Sequence, residues 1–169
     1  AASDVYKRQI DGRPPSEAVA RTNDLILADA RSGLFVTMFY IILRPWSGEV
    51  VYVNAGHMPP LVVRAEDGTA EELRVPGMAL GILPDVQYGE HISHLKQGDT
   101  LVLYTDGVTD AMNARQESFG LERLKELVWS HRHETAQDLA QTINEAVAEF
   151  VGEATQFDDF TLVLAKRTA

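Results

Sequence analysis

Gly98–Asn113 reads GDTLVLYTDGVTDAMN, and it holds the key to the fold. Its apolar run ends abruptly at Asp106, and Gly107 then allows a sharp backbone turn close to a ligand. Asp110 follows one helical turn later. Near the other end of the chain Gln156–Leu162, QFDDFTL, places Asp158 and Asp159 where a last strand begins. If these two strands are antiparallel neighbours, the end of one lies beside the start of the other. Asp106 and Asp158 would then converge although they are far apart in sequence.

Outward from this pair, the sequence alternates between strand and helix signals. Phe35–Leu43, FVTMFYIIL, is a nearly continuous apolar run that suits a strand buried on both faces. Pro45-Trp46-Ser47-Gly48 turns it into Glu49–Asn54. Leu61–Ala65 and Glu71–Val75 flank Asp67-Gly68 and read as a second hairpin. His91–Leu95 and Thr100–Thr105 flank Gly98-Asp99 and read as a third. Ser16–Ala30 reads as a helix after Pro14-Pro15, with Val19, Ile26 and Ala30 on one face and Ala18 and Leu25 beside them. Leu121, Leu124, Leu127 and Val128 stripe a second helix. Thr135-Ala136-Gln137-Asp138 has capping-box spacing and opens a third, striped by Ala136, Leu139, Ala140, Ile143, Val147, Phe150 and Val151. Phe160–Ala165 is the closing strand. This order predicts an α+β fold, helices covering an antiparallel sheet or sandwich.

Composition narrows the function. A chain of 169 residues suits one domain that buries roughly 70% of its unfolded surface. There is no cysteine, which excludes disulfide scaffolds and thiolate metal sites and points to the cytoplasm. No apolar run reaches membrane-spanning length, and no signal peptide opens the sequence. The net charge of −10 falls entirely on residues 35–169, with no basic stripe, which argues against nucleic acid. Most of the acids, Glu66, Asp67, Glu71, Glu72, Glu122, Glu126, Glu145 and Glu149 among them, read as solvated surface. A few read as a cation site.

Two carboxylates at 4 Å repel by about 4 kcal/mol at an effective dielectric of 20. Tolerating that needs a proton or a cation. Oxygen donors without cysteine or clustered histidine select Mg²⁺, Mn²⁺ or Ca²⁺ rather than zinc. An Asp-Gly turn and an Asp-Asp strand cap account for the same residues without a ligand, so the residues alone leave both readings open. Asn54-Ala55-Gly56-His57 is a polar strand exit that could line a cleft, although a satisfied loop histidine is the simpler account of His57. His91 and His94 face opposite ways, and His131 and His133 sit where they complement a helix dipole. No nucleophile elbow, P-loop or dinucleotide fingerprint occurs.

Five strings in order, NAGHMPPLVV (54–63), LGILPD (80–85), GDTLVLYTDGVTDAMN (98–113), FGLERL (119–124) and DDFTLVL (158–164), resemble the SpoIIE/RsbU-type domain. That domain belongs to the metal-dependent PPM class of protein serine/threonine phosphatases, and the resemblance runs from about residue 14 to residue 166. It implies an antiparallel β-sandwich flanked by helices. It implies hydrolysis of phosphoserine or phosphothreonine, often on STAS-type regulatory proteins, with two Mn²⁺ or Mg²⁺ ions. By resemblance Asp106 and Asp158 match metal ligands, Asp159 is a weaker match, and Gly107 permits the turn beside the metals. Asn54, His57 and Asp110 are further cleft candidates. The helix over 16–30 matches a region near the family's dimerising elements, which implies a homodimer as well.

The family's first motif, Asp-x-x-Gly-x-Gly after a strand, has no counterpart here. Asp11-Gly12 continues into Arg13-Pro14 and does not replace it. The expectation is therefore a partial domain over 14–169, without the opening strands and first helix. Residues 1–13 read as an irregular segment, a scar or the remnant of a preceding helix. Such a chain alone would be weakly active or inactive. A silent pseudo-phosphatase that docks partners and a plain divalent-cation-binding β-domain are the competing expectations.

Overall fold

The computed structural model describes residues 14–29, 33, 35–152 and 159–168, so the segment expected over residues 1–13 lies outside it. The elements run α1 (Pro15–Asp29), β1 (Met38–Arg44), β2 (Glu49–Ala55), β3 (Leu61–Val63), β4 (Ala70–Glu72), β5 (His91–His94), β6 (Thr100–Tyr104), α2 (Asp106–Thr109), α3 (Leu121–Ser130), α4 (Ala136–Val151) and β7 (Leu162–Lys166). This is an α+β fold with two sheets, ordered β1-β2-β5 and β4-β3-β6-β7. The chain divides into two compact units, residues 1–44, 49–57 and 75–93 in the first and 45–48, 58–74 and 94–169 in the second.

In the first unit β1 and β2 pair antiparallel from Arg44↔Glu49 to Met38↔Ala55, as the turn at 45–48 predicts. Val19 of α1 packs with Val53, Ala55, Leu80 and Tyr88. The same face of α1 carries Asn23, fully buried, whose amide donates to the Leu83 carbonyl at 2.9 Å and accepts from Gly81 N–H at 2.9 Å. A polar residue in a core-facing position is thus used to hold a loop, which periodicity could not show. Leu25 is 63% exposed, so it does not join that face.

The expectation of a doubly buried strand over Phe35–Leu43 is corrected. β1 starts only at Met38, is half-buried at best, and Phe35 is 63% exposed. The reason is topological: β1 lies at the edge of its sheet, and its apolar sequence is not matched by neighbours on every side.

The third expected hairpin is also corrected. β5 joins the β1-β2 sheet, whereas β6 lies in the other one. β6 is flanked by β3 on one edge and β7 on the other, which leaves no ladder for β5. Gly98, at φ 87°, still turns the chain, but its N–H bonds to the Arg167 carbonyl at 2.8 Å and not across a hairpin.

The second unit holds its sheet against helices. Leu124 and Val128 of α3 and Leu139, Ile143, Val147 and Val151 of α4 are buried with Leu61, Val63, Val102 and Tyr104. Thr135 Oγ1 accepts from Asp138 N–H at 3.1 Å, the expected N-cap of α4. His131 caps α3 through its ring and the Leu127 carbonyl, 3.1 Å apart.

A buried carboxylate ties this unit together. Asp99 is 1% exposed. Its two oxygens accept from Arg64 Nη1 at 2.8 Å, Lys96 N–H at 2.8 Å and Ala65 N–H at 2.9 Å. Arg64 also donates to the His94 carbonyl and to Glu71. Burial works against the Arg64 charge, but these bonds to Asp99 and Glu71 outweigh it and raise the guanidinium pKa.

Candidate functional site

The site is built where β6 meets the approach to β7. Antiparallel pairing reaches Tyr104↔Leu162 and would stop there, but Thr105 extends it. Its N–H donates to the Thr161 carbonyl at 3.1 Å. Its Oγ1 donates to the Asp159 carbonyl at 2.8 Å and accepts from Thr161 N–H at 3.0 Å. A single hydroxyl thus clamps the segment carrying Asp159 against the strand end carrying Asp106.

Gly107 allows the approach, though not as a turn residue. It is not among the residues of positive φ and lies inside the short α2. A Cβ there would stand 2.4 Å from the Asp159 carbonyl oxygen and 2.9 Å from its carbon. The expected sharp turn at Gly107 is therefore corrected: what glycine supplies is the missing side chain. In an open helix Gly→Ala gains up to about 1 kcal/mol. Here Gly107→Ala is expected to lose about 1–3 kcal/mol instead, as overpacking against backbone does, measured by urea unfolding.

Asp106 opens α2 and is exposed, with Oδ1 accepting from Gly107 N–H at 3.1 Å. Asp159 is exposed as well, on the adjoining segment. Asp158 lies outside the described residues. Asp110 follows Asp106 by one helical turn, its N–H donating to the Asp106 carbonyl at 2.7 Å. Asn54 and His57 belong to the first unit. There the Asn54 amide donates to the Val75 carbonyl at 3.0 Å and accepts from His57 N–H at 2.8 Å. Both ends of that amide shape the loop.

The donors suit a hard divalent cation in kind. They are carboxylate oxygens at an exposed strand end. Mg²⁺ in particular takes one or two carboxylates and fills its remaining positions with water or phosphate. Among the described residues no three His, Cys, Asp or Glu side chains gather into a ready-made metal cluster.

Beside Asp106, the second unit contains a cavity of about 290 Å³. Glu72, Arg74, Tyr104, Thr109 and Asp110 contribute its polar wall. Glu72 corrects the reading of a solvated acid: its side chain is 17% exposed and pairs with Arg74 at 2.6 Å. Tyr104 is 5% exposed. Burial, aided by the negative charge of Glu72, pushes its phenol up to about 12, so it is neutral at physiological pH. Tyr104 was hidden in the sequence because it ends an apolar run and reads as core. Arg74 and Glu72 gave no motif signal, since β4 and its exit meet α2 and α3 only in three dimensions.

Comparison with known proteins agrees with this architecture. The family described as Stage II sporulation protein E (SpoIIE) matches residues 4–168. Phosphoserine phosphatase RsbU of Bacillus subtilis (strain 168) is 32% identical over 158 residues, covering 92% of this chain and 46% of RsbU. The chain therefore spans less than half the length of that relative. The structure of the RsbU and RsbW domains of Rv1364c from Mycobacterium tuberculosis aligns with TM-score 0.76 and 27% identity, covering 96% of this chain and 45% of that one. The SiaA-PP2C domain of Pseudomonas aeruginosa aligns with TM-score 0.78 and 22% identity, over 98% of this chain and 65% of that one, a likeness of fold.

Proposed function

The chain belongs to the SpoIIE family, and from that premise we propose that residues 14–169 are part of a metal-dependent phosphatase domain that hydrolyses phosphoserine or phosphothreonine on a regulatory protein of STAS type. The observation that carries this reading is the clamp of Thr105 on Asp159, which sets a second carboxylate segment beside Asp106. The name of the relative RsbU, a phosphoserine phosphatase, supports the same chemistry.

In this reading Asp106, Asp158 and, more weakly, Asp159 hold Mn²⁺ or Mg²⁺. When bound, the metal supplies Lewis acidity and charge neutralisation for attack of water on the phosphate ester. The protein's own part is positional. Thr105 fixes the spacing of the two acidic segments, Gly107 lets them touch, and Gly107 N–H holds one oxygen of Asp106 so that the other side of the carboxylate is presented outward. Among the described residues no helix is long and apolar enough to cross a membrane. We place the domain in the cytoplasm, with a phosphorylated STAS-type protein as partner and a second copy of itself as another.

The test is phosphate release from a phosphoserine STAS-type protein by the native full-length protein, with Mn²⁺ or with EDTA. Turnover that needs Mn²⁺ is the expected result. Specific binding of the phosphoprotein without any release of phosphate would favour a silent docking module, and Mn²⁺ binding with neither would favour a plain cation-binding domain.

A further inference from the structure

The helix that carries Asp106 is too short to hold itself in place. α2 spans four residues, Asp106–Thr109, and Asp110 N–H closes its turn on the Asp106 carbonyl at 2.7 Å. A lone turn fixes several dihedrals for one such bond and is unfavourable by itself. Its position is therefore set by what grips its two ends. At the start, Thr105 and Gly107 hold it to the segment of Asp159. At the end, the chain leaves α2, bridges Met112 to Ser118 and comes back alongside. There Phe119 N–H donates to the Ala111 carbonyl and Gly120 N–H to the Thr109 carbonyl, both at 2.8 Å.

Arg123, in the first turn of α3, reaches back to the same two peptide units. Its Nη1 donates to the Ser118 carbonyl at 2.8 Å and to the Phe119 carbonyl at 2.7 Å. The Ser118 carbonyl shares a planar peptide with Phe119 N–H, and the Phe119 carbonyl shares one with Gly120 N–H. One guanidinium thus holds the oxygens of both peptides whose N–H groups pin the end of α2. A cation on each oxygen also polarises the peptide and strengthens the bond made by its N–H. Phe119 and Thr109 are buried, so water competes little for those bonds. The guanidinium is itself seated over the Phe150 ring, 4.7 Å from its centre, and Phe150 meets Phe119 edge-on at 5.5 Å.

Arg123 is an exposed residue, so truncating its head leaves no hole in the core. What truncation removes is the grip on the peptides of 118–120. We infer that Arg123 is a positioning residue for the Asp106 carboxylate. It acts through those two peptides on the end of α2, and thereby on how Asp106 is presented to a divalent cation. The inference rests on the metal site of the phosphatase reading above. It adds a group on a different helix that tunes the metal affinity without touching the metal.

The experiment titrates Mn²⁺ into the native full-length protein and reads free Mn²⁺ by electron paramagnetic resonance, for wild type, Arg123→Met and Arg123→Lys. Methionine keeps an unbranched stem and drops the charge and the donors. Its Mn²⁺ dissociation constant is expected to rise about tenfold, the lower end of what groups supporting a metal ligand cost. Lysine keeps a cation with donors enough for two carbonyls and is expected to recover most of that loss. Thermal melting in EDTA is expected to stay close to wild type for both variants. An unchanged constant in Arg123→Met, an equal loss in Arg123→Lys, a fold lost in Arg123→Met, or a wild type that binds no Mn²⁺ overturns the positioning role. Phosphate release measured in parallel separates the two ideas. Affinity that falls with methionine and returns with lysine, in a protein that releases no phosphate, removes the phosphatase and keeps the positioning role. Mn²⁺-dependent release with an unmoved constant in Arg123→Met does the reverse.

Discussion

Asp106→Asn is expected to lower Mn²⁺-dependent phosphate release by at least about 100-fold while leaving the fold intact. Groups that merely support a metal ligand cost 10–100-fold when changed, and a ligand itself costs no less. Asparagine has the same shape, and its carbonyl oxygen can still accept from Gly107 N–H, as Asp106 Oδ1 does at 3.1 Å. What disappears is the charge. Asp106 is exposed at the start of α2, so its replacement should move stability by no more than about 0.5 kcal/mol. Phosphate release and thermal melting of the native full-length protein, measured together, separate the two effects. Activity retained at wild-type level would remove Asp106 from the metal site, and a lost fold would make it a structural residue.

Asp99→Ala is expected to destabilise the protein by about 3–5 kcal/mol, the range for breaking a buried ion pair by deleting one partner. The carboxylate is 1% exposed and accepts three hydrogen bonds, from Arg64, Ala65 N–H and Lys96 N–H. Removing it strands the Arg64 guanidinium, 2.8 Å away, without its buried counter-charge. It also leaves the Ala65 and Lys96 N–H groups without the acceptors they have in the wild type. Glu71, more than half exposed, retains its contact with Arg64 but is too solvated to replace Asp99. Urea unfolding of wild type and variant reads the difference. A loss under about 1 kcal/mol would mean that the turn is held by its backbone bonds to Arg167 instead.

Local chemistry made much of the fold legible. The α4 helix follows from its apolar period and Thr135 cap, the β1–β2 hairpin from its turn, and the β6–β7 pairing from two apolar runs that each meet an aspartate. Those features depend on neighbours in sequence or on one simple pairing. The errors share a cause. Phe35–Leu43 has the composition of a buried strand, but composition does not reveal which strand becomes the edge. Gly98-Asp99 has the composition of a hairpin turn, but a turn does not reveal whether both edges of β6 are already occupied.

The acidic residues divide along the same line. By itself the sequence determined the α+β class, the family resemblance and the pair of aspartate-bearing strand ends, because periodicity, turn chemistry and ordered motifs are local and survive without coordinates. Only the tertiary structure decided that Gly107 serves by lacking a Cβ against the Asp159 carbonyl, that Asp99 is an internal counter-ion, and that Glu72, Arg74, Tyr104 and Asp110 share one cavity. Those roles arise from distances between segments remote in sequence, and burial sets them. A carboxylate, phenol or glycine has the same formula on the surface as in the interior, but its solvation and its neighbours decide what it does.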